Sequence, residues 1–323
     1  MTEESNGPVN HGWPARLHVV TGKGGAGKTS VAAALALALA AEGRKTLLVE
    51  VEGRQGLAQL FETPALPYEE RTIVPAGPGS EVRALAVDPE EALLEYLAMF
   101  YKLGAAGRAL RKFGAIDFAT TIAPGLRDVL LTGKVKEATT RTANGQRVYQ
   151  AVVLDAPPTG RIGRFLNVTA ETARLARVGP IKTQSEGVAA LLRSPMTAVH
   201  VVTLLEEMPV QETVDAIDEL TQLGIPVGNV IVNATRTPLS TEGKVTQAEL
   251  RRGLAAAGLP TDRATVAGLH AETKAHRTRL ALEESLRGEL AELGRPMIEL
   301  PLLPGGVDRM SLETLSAALR AAD

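Results

Sequence analysis

Near the start of the chain the residues Gly22-Lys23-Gly24-Gly25-Ala26-Gly27-Lys28-Thr29 satisfy the pattern G-x-x-x-x-G-K-[ST]. An apolar run at 17–20 precedes them and an alanine-rich run at 29–41 follows. In that context the pattern reads as a strand, a tight loop and the start of a helix, a combination few folds accommodate. Successive glycines let backbone N–H groups curl around phosphate oxygens, and the helix N-terminus adds partial positive charge. Lys28 is then placed to reach the outer phosphates of a nucleotide, and the Thr29 hydroxyl to ligate Mg²⁺. The expected cradle comprises Gly22, Lys23, Gly24, Gly25, Ala26, Gly27, Lys28, Thr29 and Ser30.

The remainder of the chain alternates in a compatible way. Short β-branched or leucine-rich runs at 17–20, 46–51, 82–87, 148–155, 198–204, 227–233 and 297–302 are each bounded by Gly, Pro or Asp and read as strands. Helical patterns at 29–41, 210–223 and 264–293 lie between them. The alternation predicts βαβ units and an α/β fold of the P-loop NTPase kind, with a doubly wound, mostly parallel sheet. Two intervals, 88–147 and 156–197, carry only helical pattern, including 90–103 and 124–136. They are expected to form a helical lobe, inserted at about 89–140 and 163–196 into an ATPase-type domain spanning 16–323. The polar run 1–15 has no periodicity and reads as a disordered arm.

Composition removes several alternatives. The 323 residues carry 35 basic and 37 acidic side chains, a net charge of −2, so no global basic field draws the chain to nucleic acid or anionic lipid. Cysteine is absent, which excludes disulfides, thiolate zinc sites, iron–sulfur clusters and cysteine nucleophiles. The apolar run 31–41 is too short to span a bilayer, and no cationic leader opens the chain, so a cytoplasmic location with at most peripheral membrane contact is expected. Aromatic residues make up only 3%, and abundant alanine predicts helices packed closely through small side chains.

A second motif, Val152-Val153-Leu154-Asp155-Ala156-Pro157-Pro158-Thr159-Gly160-Arg161, ends an apolar strand on an aspartate and turns sharply. An acid at such a strand end is where the second magnesium-site carboxylate of a P-loop enzyme belongs, acting through water. The stiff Pro-Pro-Thr-Gly turn after it can respond to a γ-phosphate in the manner of a switch.

Lys23 and this second motif occur in order with Ile231-Val232-Asn233 and Glu299-Leu300-Pro301-Leu302-Leu303-Pro304. Together, over residues 16–320, they resemble the arsenite-pump and tail-anchored-protein-targeting ATPases, which share a deviant Walker A loop with the septum-site and plasmid-partition ATPases. The resemblance implies ATP/ADP and Mg²⁺ as ligands and a face-to-face dimer in which Lys23 crosses to the other subunit's nucleotide. It further implies that Asn233 reads adenine, that Pro301 belongs to a loop closing over the base, and that Glu206, in Val202-Thr203-Leu204-Leu205-Glu206, approaches the partner's nucleotide. The implied catalytic set is Lys23, Lys28, Glu52 and Asp155, with Thr29 and Asp155 serving the metal.

The departures from that family matter as much. Its switch II pattern D-T-A-P-T-G-H appears here with Ala156, Pro157 and Arg161 in place of the family residues, and its switch I pattern D-P-A-H-S becomes Glu52-Gly53-Arg54-Gln55-Gly56. Glu52 keeps a carboxylate on a longer side chain, and a misplacement near 1 Å costs on the order of a hundredfold in rate, so slow hydrolysis is expected. The cysteines that hold arsenite and the C-x-x-C zinc staple of eukaryotic targeting factors are missing. The expected function is a slowly hydrolysing ATP switch, a homodimer or a heterodimer with a related ATPase, whose helical lobe handles a hydrophobic client, lipid or partner protein. The apolar residues of 90–103 (Ala92, Leu93, Leu94, Leu97, Met99, Phe100 and Leu103), with Met99 and Met196 as the lobe's methionines, are its candidate groove. A regulatory ATP-binding subunit and a septum- or partition-type positioning ATPase are the alternatives.

Overall fold

The computed structural model describes residues 13–75, 81–101, 124–168, 180–236 and 245–321. Its strands are β1 (Leu17–Gly22), β2 (Thr46–Glu50), β3 (Arg71–Val74), β4 (Val82–Ala86), β5 (Thr142–Ala143), β6 (Gln146–Arg147), β7 (Ala151–Asp155), β8 (Thr197–Thr203), β9 (Val227–Thr235) and β10 (Met297–Pro301). Its helices are α1 (Lys28–Ala41), α2 (Gly56–Leu60), α3 (Pro89–Tyr101), α4 (Pro124–Thr140), α5 (Thr159–Leu166), α6 (Pro180–Leu192), α7 (Glu207–Gln222), α8 (Gln247–Ala256), α9 (Arg263–Ala291) and α10 (Arg309–Ala321).

One sheet runs in the order β10-β9-β8-β1-β7-β2-β4-β3, parallel throughout except for β3 against β4. Every residue of β1, β2 and β7 is buried, because helices cover both faces and leave no room for a polar alternation. Leu17, Val19, Leu47, Val49, Val152 and Leu154 pack with Val129, Ile162, Phe165, Val188 and Val210 from α4, α5, α6 and α7. Val20, Leu48 and Val153 point the other way, against α1 and against Leu312, Leu315 and Leu319 of α10. Helix α1 is buried from Val31 to Ala40 without interruption, since it lies between the sheet and α10. Alanines along it permit approach from both sides, as the composition led one to expect. Strand β1 sits between β7 and β8, so its C-terminal end opens at the point where the winding direction reverses, the usual ligand crevice of such sheets.

Several local expectations are corrected. β3 was not anticipated, because a short edge strand with only Ile73 buried carries little hydrophobic pattern. The hairpin β5–β6 falls in an interval that reads as purely helical. It turns on Asn144 and Gly145, both with positive φ, yet its flanks are mostly polar and none of their residues is buried. β7 begins at Ala151 rather than Val148. Met196, expected in the lobe, lies instead just before β8 at the opposite end of the sheet from the loop, where its carbonyl accepts from the Arg16 and Leu17 N–H groups. In the candidate groove Ala92 and Leu93 belong to the core beneath α3. Half-buried Leu94 packs against the same core, while Leu97, Met99, Phe100 and Leu103 lie outside the described side chains, as do residues 1–12 of the arm.

The last residues of that expected arm are packed. Trp13, the chain's one tryptophan, is 1% exposed and meets His18 and His200 edge-on at centroid separations of 6.0 and 5.0 Å. Arg44 fixes it there, donating to the Trp13 and Ala15 carbonyls at 2.7 Å each. The two imidazoles stack and share a hydrogen bond of 3.1 Å between His18 Nδ1 and His200 Nε2. The Asn229 N–H donates to His200 Nδ1, so His200 is neutral and donates onward to His18.

Burial therefore lowers both imidazole pKa values, that of His200 to about 3, with His200 and the Arg44 guanidinium adding to the effect on His18. Below the ordinary value near 6.5 the unfolded chain binds protons that the folded chain refuses, so stability present at neutral pH is lost as pH falls. Each histidine contributes a slope of about 1.4 kcal/mol per pH unit in that range. Asp155, whose pKa is raised to about 6, acts in the opposite direction between that value and 3.8. Urea unfolding followed by Trp13 fluorescence from pH 7 to 5 will show the loss, and a His18→Gln/His200→Gln double variant will show a flatter profile.

Candidate active site

Gly22 closes β1 at φ 153°, and a Cβ built on it would lie 2.1 Å from the Val202 carbonyl oxygen of β8, so glycine alone fits. Gly27, at φ 92°, caps α1 from the left-handed region, and a Cβ there would meet the Asn233 amide nitrogen at 2.3 Å. Between them the Ala26 N–H donates to the Lys23 carbonyl and the loop folds back on itself. Gly24 and Gly25 face open space, which leaves the concave side of the loop free for a phosphate chain.

Lys28 and Thr29 leave the loop on the first turn of α1, with half-buried Ser30 beside them. The Lys28 ammonium lies 3.5 Å from the Lys23 carbonyl. Burial lowers its pKa, while Asp155 and Glu52 favour its charged form. The Thr29 hydroxyl donates to Asp155 Oδ2 at 2.7 Å, joining the two predicted metal residues. Asp155 is 8% exposed and its pKa is pushed up to about 6, first by burial and further by the charges of Glu50 and Glu52, against the Thr29 hydrogen bond and Lys28. A hydroxyl and a buried carboxylate with charge to spare form a hard oxygen donor set that suits Mg²⁺. Among the described residues no three histidines or carboxylates converge as a closed cage. Magnesium is commonly held in just that way, by one or two carboxylates plus substrate phosphates.

Switch II is stitched to the loop strand, the Thr21 hydroxyl donating to the Pro157 carbonyl at 2.7 Å. Glu52 reaches across to it: Oε1 lies 3.5 Å from Arg161 and Oε2 3.7 Å from Arg54. The arginine that departs from the family's switch II thus meets the acid that departs from its switch I.

Lys23 forms an ion pair of 2.9 Å with Glu212 on α7, and Thr159 donates to the other oxygen of the same carboxylate at 3.0 Å. The Lys23 hydrogen bond holds the Glu212 carboxyl below the usual range. Sequence reasoning missed Glu212, since an acid in an amphipathic helix gives no signal. It also passed over Glu50, the buried last residue of β2, although the rule that identified Asp155, an acid ending an apolar strand, applies to it equally.

The outer candidates are placed less uniformly. The Asn233 amide donates to the Ala26 carbonyl at 2.9 Å, so it buttresses the loop from β9. Pro301 ends β10 opposite Thr235, at the same end of the sheet. Glu206 is the N-cap residue of α7 and pairs with Arg279 at 3.6 Å. With Lys23, Gly24, Gly25 and exposed Met208 it borders an open recess of about 340 Å³ in front of the loop.

Comparison with known proteins places the chain among ATPases. The model of the anion-transporting ATPase family matches residues 15–192, which hold the glycine loop and both switches. ATPase BagA of Mycobacterium tuberculosis is 55% identical over 329 residues, covering 98% of this chain and 97% of that protein. ATPase GET3B of Arabidopsis thaliana is 25% identical over 281 residues, 72% of this chain and 67% of the relative. The arsenical pump-driving ATPase of Escherichia coli is 26% identical over 237 residues, 66% of this chain and 38% of the relative. With its family model matched over more than half its length, the chain belongs to the anion-transporting ATPase family.

Proposed function

We propose that the chain hydrolyses ATP slowly in a magnesium-dependent dimeric switch, and that the nucleotide state is passed to the helical lobe to grip or release a hydrophobic client or partner protein. The observation that carries this reading is the 2.7 Å bond from Thr29 to Asp155, which joins the loop's last residue to the first residue of switch II. The loop's backbone N–H groups and Lys28 bind the triphosphate, and bound magnesium supplies charge neutralisation on its outer phosphates. Thr29 and Asp155 face that cation. Glu52 orients a water for attack on the γ-phosphorus as the bond to the β-phosphate oxygen breaks, releasing phosphate and ADP. Arg161 and Arg54 hold the Glu52 carboxylate away from a freely chosen position, which supports the slow rate.

The open recess before the loop supports a second copy as its occupant, with Lys23 serving the neighbouring site and Glu206 beside it. Coupling to the lobe is supported by a cavity of about 680 Å³ shared by Gly53 and Gln55 of switch I with Asp88, Pro89 and Arg127 at the starts of α3 and α4. Asn233 and Pro301, at the same sheet end, are assigned to the adenine. No helix among the described residues is long and apolar enough to cross a membrane. The arginine-restrained Glu52 also favours, as a second reading, a regulatory ATP-binding subunit whose turnover needs a related partner.

Phosphate release by the purified chain tests the scheme. Lys28→Ala is expected to lower turnover on the order of a hundredfold or more, and Glu52→Gln to abolish most of what remains in the wild type. Unchanged turnover in Glu52→Gln removes Glu52 from the mechanism. If Lys23 serves the opposite subunit, Lys23→Ala and Lys28→Ala are each inactive alone, but mixing them restores roughly a quarter of wild-type activity through one complete site per mixed dimer. Failure to complement places Lys23 in its own subunit's site.

A further inference from the structure

We propose that Glu50 is a further carboxylate of the magnesium site, held toward the cation's water shell beside Asp155; the inference rests on the magnesium-dependent nucleotide reading above. Glu50 closes β2 and is 3% exposed, and its register partner on β7 is Asp155. Neighbouring strands lie about 4.8 Å apart, so the two acids end side by side at the crevice.

One oxygen of Glu50 has a clear structural duty: Oε2 accepts the Leu57 N–H at 3.2 Å and anchors α2 behind switch I. The other does not. Oε1 is buried without a hydrogen-bond partner among the described residues. The helix it anchors brings Gly56 so close to Thr29 that a Cβ on Gly56 would lie 3.2 Å from the Thr29 methyl. Glu50, Asp155 and Thr29 are therefore neighbours at the foot of the glycine loop.

A buried carboxylate oxygen lacking any partner is costly, and a second carboxylate next to it raises the cost. Asp155 and Glu52 favour the charged form of Lys28, and among the described residues Glu50 forms no ion pair, its Oε1 having no hydrogen-bond partner. A purely structural role for Glu50 needs one acceptor and no charge, so glutamine would serve it as well. A divalent cation accounts for both the charge and the spare oxygen. Because magnesium usually retains several waters, a carboxylate can act on it without direct ligation.

The test uses the full chain carrying one equivalent of bound ADP, titrated with Mn²⁺ and followed by the EPR signal of the free ion. Nucleotide affinity in EDTA, measured by calorimetry, reports the fold of the site without metal. Glu50→Gln, which retains the acceptor for Leu57, is expected to bind Mn²⁺ about 10- to 100-fold more weakly with its EDTA nucleotide affinity unchanged. Glu50→Asp, which keeps the charge, is expected to lose less. Unchanged Mn²⁺ affinity in Glu50→Gln overturns the inference and leaves Glu50 an anchor of switch I. Parallel losses in Mn²⁺ and in metal-free nucleotide binding overturn it as well. A wild-type chain that takes up no Mn²⁺ with ADP overturns the ATPase reading and this inference together.

Discussion

Two neighbouring, fully buried and mostly apolar strands end in carboxylates, and the cost of keeping charge out of water there organises the elements around it. Asp155 offsets the cost with the Thr29 hydroxyl and the Lys28 ammonium, which ties the end of β7 to the first turn of α1. Glu50 offsets part of it through the Leu57 N–H, which ties the end of β2 to switch I. The crevice is thus assembled by electrostatic necessity at a place where hydrophobic packing has no more to offer.

The layers behind the crevice make that assembly rigid. Helix α1, buried on all sides from Val31 to Ala40, cannot shift without disturbing both the sheet and α10. The N-terminal end of α1, which carries Lys28 and Thr29, is therefore a fixed reference. Switch I and switch II meet on the other side through the pair Glu52 and Arg161, 3.5 Å apart, with the arginine exposed and the acid half-buried. Partly exposed pairs of this kind are individually weak, commonly about 1 kcal/mol or less.

What could be read in advance depended on how local the signal was. The glycine loop and Asp155 are written in contiguous residues, and the sheet's central strands are short, mostly apolar and β-branched or leucine-rich runs. β3 and the β5–β6 hairpin were illegible because an edge strand and a polar ribbon bury almost nothing. Trp13 was hidden inside a mostly polar run without periodicity, and its place was decided by Arg44 and two histidines from separate strands. Glu212 escaped because its meaning comes only from tertiary neighbours, a loop lysine and a switch threonine that are far away along the chain. The departures at Glu52 and Arg161 were visible singly, whereas their contact was not.

The shared carboxylate of Glu212 carries a thermodynamic obligation. Whatever draws the ammonium of Lys23 outward strips that acid of its compensating charge and leaves the hydroxyl of Thr159 as its remaining partner. Departure of the lysine and release of the turn after β7 must therefore influence each other's free energy by the same amount in either direction. A second molecule that captured Lys23 would be felt at Thr159 of the first, and the state of Thr159 would in turn set how readily Lys23 leaves.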